Sequence, residues 1–319
     1  MTAFTTRRTT ARARTAAVAA IAVAGALILT GCGDQTKDDG AKSSGGASDS
    51  SAPLASKLPA EIRSAGVIKV GSDIAYAPVE FKDASGKVVG LDPDLAAAMG
   101  KQLGVKFEFE NGTFDALLTG IRSKRYDISM SAMTDNKNRQ DGVDPDTGKK
   151  VGEGVDFVDY LTAGVSIYTR KGDTESITTW ADLCGKKLAV ERGTVSEDLA
   201  KAEAKKCPSG KKLTIEAFDD DQQSQTRLRA GGVDAASSDF PVAAYAVKTS
   251  GAGADFELVG EQVEAAPYGI AVSKENTQLR DAIQAAMNAV IKSGEYKKIL
   301  TKWGAEEGAV TESVVNGGK

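Results

Sequence analysis

The chain has 319 residues and 41% hydrophobic content, enough for buried cores and, at roughly 150 residues per domain, for two lobes. Formal net charge is −4, and removing a leader that carries four arginines and no acid leaves −8, which argues against a nucleic-acid partner because that needs a basic face. There is no histidine, so histidine-based catalytic triads and histidine metal sites are excluded together.

Arg7, Arg8, Arg12 and Arg14 precede an Ala/Val/Ile/Leu run from Ala16 to Leu29. A charged n-region, a short h-region and small residues at the cleavage point read as a secretory signal over residues 1–31. The run is shorter than the roughly 20 apolar residues that a spanning helix needs. Leu29-Thr30-Gly31-Cys32 resembles the bacterial lipobox, in which the cysteine is diacylated and becomes the mature N-terminus. Cys32 is therefore expected to carry acyl chains (a palmitate-type anchor) that hold the protein at the outer face of the cell membrane. Each buried methylene adds about 0.8 kcal/mol to such anchoring. Residues 32–57 are rich in Gly, Ser, Asp, Ala and Lys and lack aromatics, so they read as a flexible tether.

From Leu58 onward, short β-type runs alternate with helical patterns. Val67 to Val70 reads as a strand, and Phe81 to Gly90 as a hairpin around Ala84-Ser85-Gly86. Asp92 is placed as a helix cap with Pro93 at the first position, and Gly104 stops that helix. Asp92 and Asp94 are read as helix-start acids. Val105 to Phe109 is a strand, Phe114 to Ser123 a helix and Ile128 to Met130 a strand. Gln140 to Glu153 is polar and Gly/Asp-rich and reads as a surface loop. After Thr162 the pattern restarts with Leu188 to Val190, a helix from Ser196 to Lys206, Leu213 to Phe218, a helix from Gln222 to Ala230, and Asp234 to Ser237. Thr277 to Ser293 places Leu279, Ile283, Ala286, Met287, Val290 and Ile291 on one helical face. This alternation implies α/β architecture.

With Cys32 acylated, Cys184 and Cys207 remain. An exported chain sits in an oxidising compartment, where a leftover pair usually bonds. A disulfide is the expectation; two buried free thiols are the alternative.

Several segments, taken in order, resemble the family-three extracellular solute-binding proteins, which deliver polar amino acids to ABC transporters. They are Gly66 to Asp73 followed by Tyr76, Pro78, Glu80 and Phe81; Gly90-Leu91-Asp92-Pro93-Asp94-Leu95; Asp127 to Thr134, then Arg139 and Asp156-Phe157; Gly193-Thr194; and Asp234-Ala235-Ala236 leading to Asp239 and Pro241. Pro93, Asn136 and the insertion at 140–153 depart from the family pattern. The resemblance implies a two-lobed, type II periplasmic-binding-protein-like α/β fold with two crossover hinge strands. Residues 58–163 with 267–306 would form lobe one, 164–266 lobe two and 307–319 a tail, with crossovers near Ala163-Gly164 and Ala266-Pro267.

The resemblance also implies a ligand set. A free amino acid carries a carboxylate and an ammonium on one carbon, and burying both requires an opposite partner for each. Arg139 offers a planar fork for the carboxylate, and Asp239 an acceptor for the ammonium. Thr134 adds a hydroxyl, Gly193-Thr194 opens a helix whose N–H groups face the carboxylate, and Ser131 and Ala132 belong to the same set. Tyr76 and Phe114 would form an aromatic wall. Asp73, with Glu191 as a second acid, would meet the ligand side chain and favour a cationic or amide group. The expected partners are one small polar amino acid and an ABC permease, with membrane contact through the lipid alone, a monomeric state, no metal and no cofactor. The rival reading is an exported enzyme on the same fold, a cyclohexadienyl-dehydratase-like protein using a pocket acid such as Glu191.

Overall fold

The computed structural model describes residue 49, residues 51–173 and residues 177–319. The leader, Cys32 and most of the tether lie outside the described residues.

The strands, in chain order, are β1 (Val67–Ser72), β2 (Ala75–Tyr76), β3 (Glu80–Lys82), β4 (Val88–Val89), β5 (Lys106–Asn111), β6 (Ile128–Ser129), β7 (Val155–Arg170), β8 (Lys187–Glu191), β9 (Thr214–Phe218), β10 (Ala235–Asp239) and β11 (Phe256–Ser273). The helices are α1 (Ala60–Ala65), α2 (Leu91–Leu103), α3 (Leu117–Arg122), α4 (Lys137–Asp141), α5 (Val195–Ala204), α6 (Asp221–Arg229), α7 (Phe240–Thr249), α8 (Thr277–Ser293) and α9 (Glu295–Trp303). Eight strands form one sheet in the order β5-β1-β6-β11-β7-β10-β8-β9, and β2-β3-β4 form a small antiparallel sheet.

Two strands explain the architecture. β7 and β11 are 16 and 18 residues long and pair antiparallel along most of their length. The end of β11 lies between β6 and the start of β7, while the end of β7 lies beside β10. Parallel strands flank them on each side: β1 with β5 and β6, and β8 with β9 and β10. Ala163 pairs with Ala266 and Thr162 with Pro267, so the two crossovers run side by side. This is a two-lobed α/β fold of the type II periplasmic-binding-protein kind, with two crossover hinge strands.

Strand periodicity builds the layers. Ile167, Leu188, Val190 and Ala235 enter one buried cluster, while their neighbours Tyr168, Ala189 and Ala236 enter another on the opposite face. In the first lobe, β1, β6, α2 and α8 share a large core. Leu279, Ile283, Ala286, Met287 and Val290 of α8 are buried in it, and each fully buried large side chain contributes about 1.5–3 kcal/mol.

Some expectations needed correction. Gly90, not Asp92, is the N-cap of α2, and Asp92 is fully buried inside the first turn. The ordered body begins before Leu58: Ala55 is buried in a short 3₁₀ turn, and the Leu54 amide donates to the Gln102 carbonyl at 2.8 Å, because Leu54 and Leu58 pack on the α2 core. Gln140 belongs to α4 and is buried, so the polar insertion starts later, pinned by a Val143–Lys150 bridge and a Lys201–Asp146 ion pair of 2.8 Å. Asn136 caps α4 by accepting from the Arg139 amide at 3.0 Å. The last residues are not a loose tail. Val315 bridges Val158, the Ser313 hydroxyl donates to the Asp159 carbonyl at 2.6 Å, and the Gly318 amide donates to Asp135 at 2.7 Å. Cys184 and Cys207 are disulfide-bonded, tying the segment before β8 to the turn after α5. No helix among the described residues is long and apolar enough to cross a membrane.

Candidate functional site

The parallel strands of the two lobes end at the same cleft. Asp73 follows β1, Ser131 to Thr134 follow β6, Glu191 ends β8, Asp220 follows β9 and Asp239 ends β10. Ligands of open α/β sheets sit at such carboxyl ends.

Arg139 and Asp239 stand on opposite lobes and face each other electrostatically. The Arg139 guanidinium donates from one nitrogen to the Thr134 carbonyl at 2.8 Å and from the other to the Gly193 carbonyl at 3.0 Å, so it bridges the cleft. The Phe114 ring lies under the same guanidinium, with 5.2 Å from the guanidinium carbon to the ring centroid. Asp239 is buried, and burial pushes its carboxyl up to about 6 against the opposing effects of Tyr268 and Arg139. Its side chain does not cap α7: it accepts from the Tyr268 hydroxyl at 2.7 Å. The Asp239 amide donates to the Tyr76 hydroxyl at 3.1 Å, a further contact between lobes.

Thr194 is the N-cap of α5. Its hydroxyl donates to the Glu191 carbonyl at 2.7 Å and accepts from the Glu197 amide at 3.3 Å, so what it presents to a ligand is its backbone N–H. Gly193 has φ +78° and closes against Asp115 of the other lobe; a Cβ added there would stand 2.9 Å from the Asp115 Cβ. Ser131 also acts differently from the expected ligand contact. Its hydroxyl accepts from the Asp73 amide at 2.9 Å and donates to Glu80 at 2.8 Å, so it carries the adjoining loop. Ala132 follows at φ +48°, a strained conformation for a residue with a Cβ.

Beneath that turn lies a pair of acids whose meeting the sequence does not reveal. Glu80 and Asp92 are both fully buried, with their carboxyl groups brought together. Asp92 accepts from the Tyr160 hydroxyl at 3.0 Å and, at 3.4 Å, from the Ala132 amide. Burial pushes the Asp92 carboxyl up to about 7 and Glu80 well above the carboxylate range. Tyr268 was also missed; a lone tyrosine in a strand looks like any core residue.

A second group of acids occupies another part of the cleft. Asp73 and Glu191 are 4% and 3% exposed, and their carboxyl groups meet across it. Burial raises Asp73 to about 6 and Glu191 well beyond the carboxylate range. Asp220 and Asp221 add negative potential: Asp220 acts on Asp73, and Asp221 on Glu191. Asp73, Asp220, Lys82 and Asn111 line a cavity of about 140 Å³ that Glu191 does not border.

The architecture and the cleft define a class of solute-binding protein. The profile of the bacterial extracellular solute-binding proteins, family 3, matches residues 68–306. The chain belongs to that family. It is 32% identical over 262 residues to the arginine-binding protein ArgT of Corynebacterium glutamicum, covering 81% of each chain. It is 28% identical to the histidine-binding periplasmic protein of Salmonella typhimurium, covering 74% of this chain and 86% of that one. Among solved structures, an ancestral arginine-binding protein bound to arginine superposes with a TM-score of 0.67 at 37% identity, covering 75% of this chain and 98% of that one. An ancestral amino acid-binding protein described as a precursor of cyclohexadienyl dehydratase superposes with a TM-score of 0.66 at 33% identity, covering 76% and 97%.

Proposed function

We propose that this protein captures an amino acid with a cationic side chain, arginine foremost, between its lobes and presents it to an ABC importer. Arg139, with the Thr194 amide, takes the ligand carboxylate. Asp239, held by Tyr268, takes the ammonium. Phe114 and Tyr76 wall the aliphatic part, and Asp73 with Glu191 receives the cationic head. The observation that carries the reading is the Asp73–Glu191 pair, two buried carboxyls brought together from opposite lobes. Uncompensated, such a pair disfavours closure; a planar cation with several donors offsets both charges and satisfies their free oxygens. The relatives named for arginine and histidine support a basic ligand.

Contacts to both lobes make closure ligand-dependent, because a ligand shifts an equilibrium only by its differential affinity for the two states. Lobe one comprises residues 58–163 and 267–306, with Leu54 and the 313–318 segment packed on it, and lobe two residues 164–266. Calorimetric titration with arginine, glutamine and glutamate tests the ligand class: arginine is expected to bind tightly and glutamate not at all. Export and anchoring rest on Leu29 to Cys32. Cys32→Ser is expected to release the protein from cells, and mass spectrometry finding an unmodified Cys32 on the native protein would refute the anchor. The enzyme alternative draws on the precursor-type neighbour, and predicts turnover of a cyclic acid rather than return of intact ligand.

A further inference from the structure

The Asp73 Oδ2 and Glu191 Oε1 atoms are buried with no other partner, although the two carboxyl groups are within hydrogen-bonding reach of each other. Two carboxylates carry only acceptors, so this contact requires a proton. We propose that the pair holds either one proton or the cationic head of a ligand side chain, so that capturing a cationic amino acid expels a proton. The proposal rests on the ligand class inferred above and adds the exchange.

The balance is simple. In the closed cleft without a cation, one carboxylic acid donates to one carboxylate. On capture the acid O–H bond breaks, its proton leaves to solvent, and a guanidinium donates to both carboxylates. No redox partner or further reactant is needed.

The surroundings favour this exchange. Asp73 is faced by the Asp220 carboxyl at the start of α6 and by the amides of Phe114 and Ala75. It also acts on Glu80 of β3. Glu191 is faced by Asp221 of α6 and Asp239 of β10, and acts on Tyr76 of β2. Two nearby cations are engaged elsewhere: Arg139 with Asp239 and backbone carbonyls, and Arg192 with Asp219 at 3.6 Å. Lys82 lines a small cavity together with Asp73. Within this negative field the closed, ligand-free cleft keeps a proton on the pair, and an incoming cation replaces it.

Selectivity then depends on pH. A neutral isostere such as citrulline accepts the protonated pair as it stands and expels nothing. Arginine affinity relative to citrulline therefore rises with pH, by up to about tenfold per unit while one proton is released. Titrations common to both ligands, including those of Asp239 and the ligand ammonium, cancel in that ratio.

The test is calorimetry on the full chain at pH 7 in buffers of different ionisation enthalpy. Arginine binding is expected to release about one proton and citrulline binding about none. Glu191→Gln and Asp73→Asn should each bring the arginine value close to zero, with folding checked by circular dichroism. Tight arginine binding without proton release, or release unchanged in Glu191→Gln, would overturn the exchange and leave the ligand class standing. Failure of the intact protein to bind arginine would overturn both.

Discussion

Replacing Asp239 separates the clamp from the fold. Asp239 is 8% exposed, and its Oδ2 accepts from a Tyr268 hydroxyl that is itself buried. Asp239→Ala removes the acceptor and leaves that hydroxyl unpaired, a cost of about 1–3 kcal/mol in stability. Asp239→Asn keeps an oxygen for Tyr268 and so should fold with little loss. For the ligand the two changes are alike, because each leaves a buried ammonium without its carboxylate. Breaking a buried pair costs about 3–5 kcal/mol, or roughly 10² to 10³-fold in affinity at 1.4 kcal/mol per decade. Calorimetry with arginine measures the affinity and thermal melting the stability. Asp239→Asn should therefore be nearly as stable as the wild type and a hundredfold or more weaker, on the order of 3 kcal/mol. Retention of affinity within about fivefold would show that this carboxylate does not hold the ammonium.

Other expectations concern pH, closure and the disulfide. Burial raises Asp73, Asp221 and Asp239 to about 6 and Asp92 and Asp159 to about 7, so the ligand-free fold binds more protons than the unfolded chain between the ordinary carboxylate range near 4 and those values. Stability contributed by these groups is full below about pH 4 and is lost as pH rises through about 6–7, so the ligand-free melting temperature should be higher at pH 5 than at pH 8. An unchanged or rising value would contradict this. Gly193→Ala places a Cβ 2.9 Å from Asp115 and strains a residue at φ +78°, so small-angle scattering should show a less closed liganded state, with arginine affinity reduced at least tenfold, about 1.4 kcal/mol. Cys184→Ser with Cys207→Ser opens the covalent loop, and denaturant unfolding should show a loss of about 3 kcal/mol. A loss near zero would assign that loop no role in stability.

Local pattern made part of this molecule legible and long-range contact hid the rest. α8 was readable to the residue, because its apolar positions repeat at helical spacing and Gly294 ends it in a left-handed cap. The two crossovers follow from the family likeness, and Ala163 and Ala266 stand opposite each other. Asp92 was misread because Asp-Pro at a helix start looks like a cap; only tertiary packing brings Tyr160 and Glu80 to it. The role of Ser131 as support for Asp73 and Glu80 likewise depends on residues far along the chain. The closing segment carries no periodic signal. Asn316 and Ser313 are fixed by Asp156, Phe157 and Asp159, partners that composition cannot reveal. Lone polar residues, unlike stripes, have no neighbours in sequence to declare their surroundings.

The central claim is that the cleft receives an intact amino acid with a cationic side chain. A calorimetric titration of the full chain with arginine at pH 7, followed by recovery and identification of the ligand, tests it most directly. Saturable binding of one arginine per chain, returned unaltered and not displaced by glutamate, is the result expected. No binding of arginine or any other basic amino acid, or conversion of a cyclic acid in its place, would contradict it.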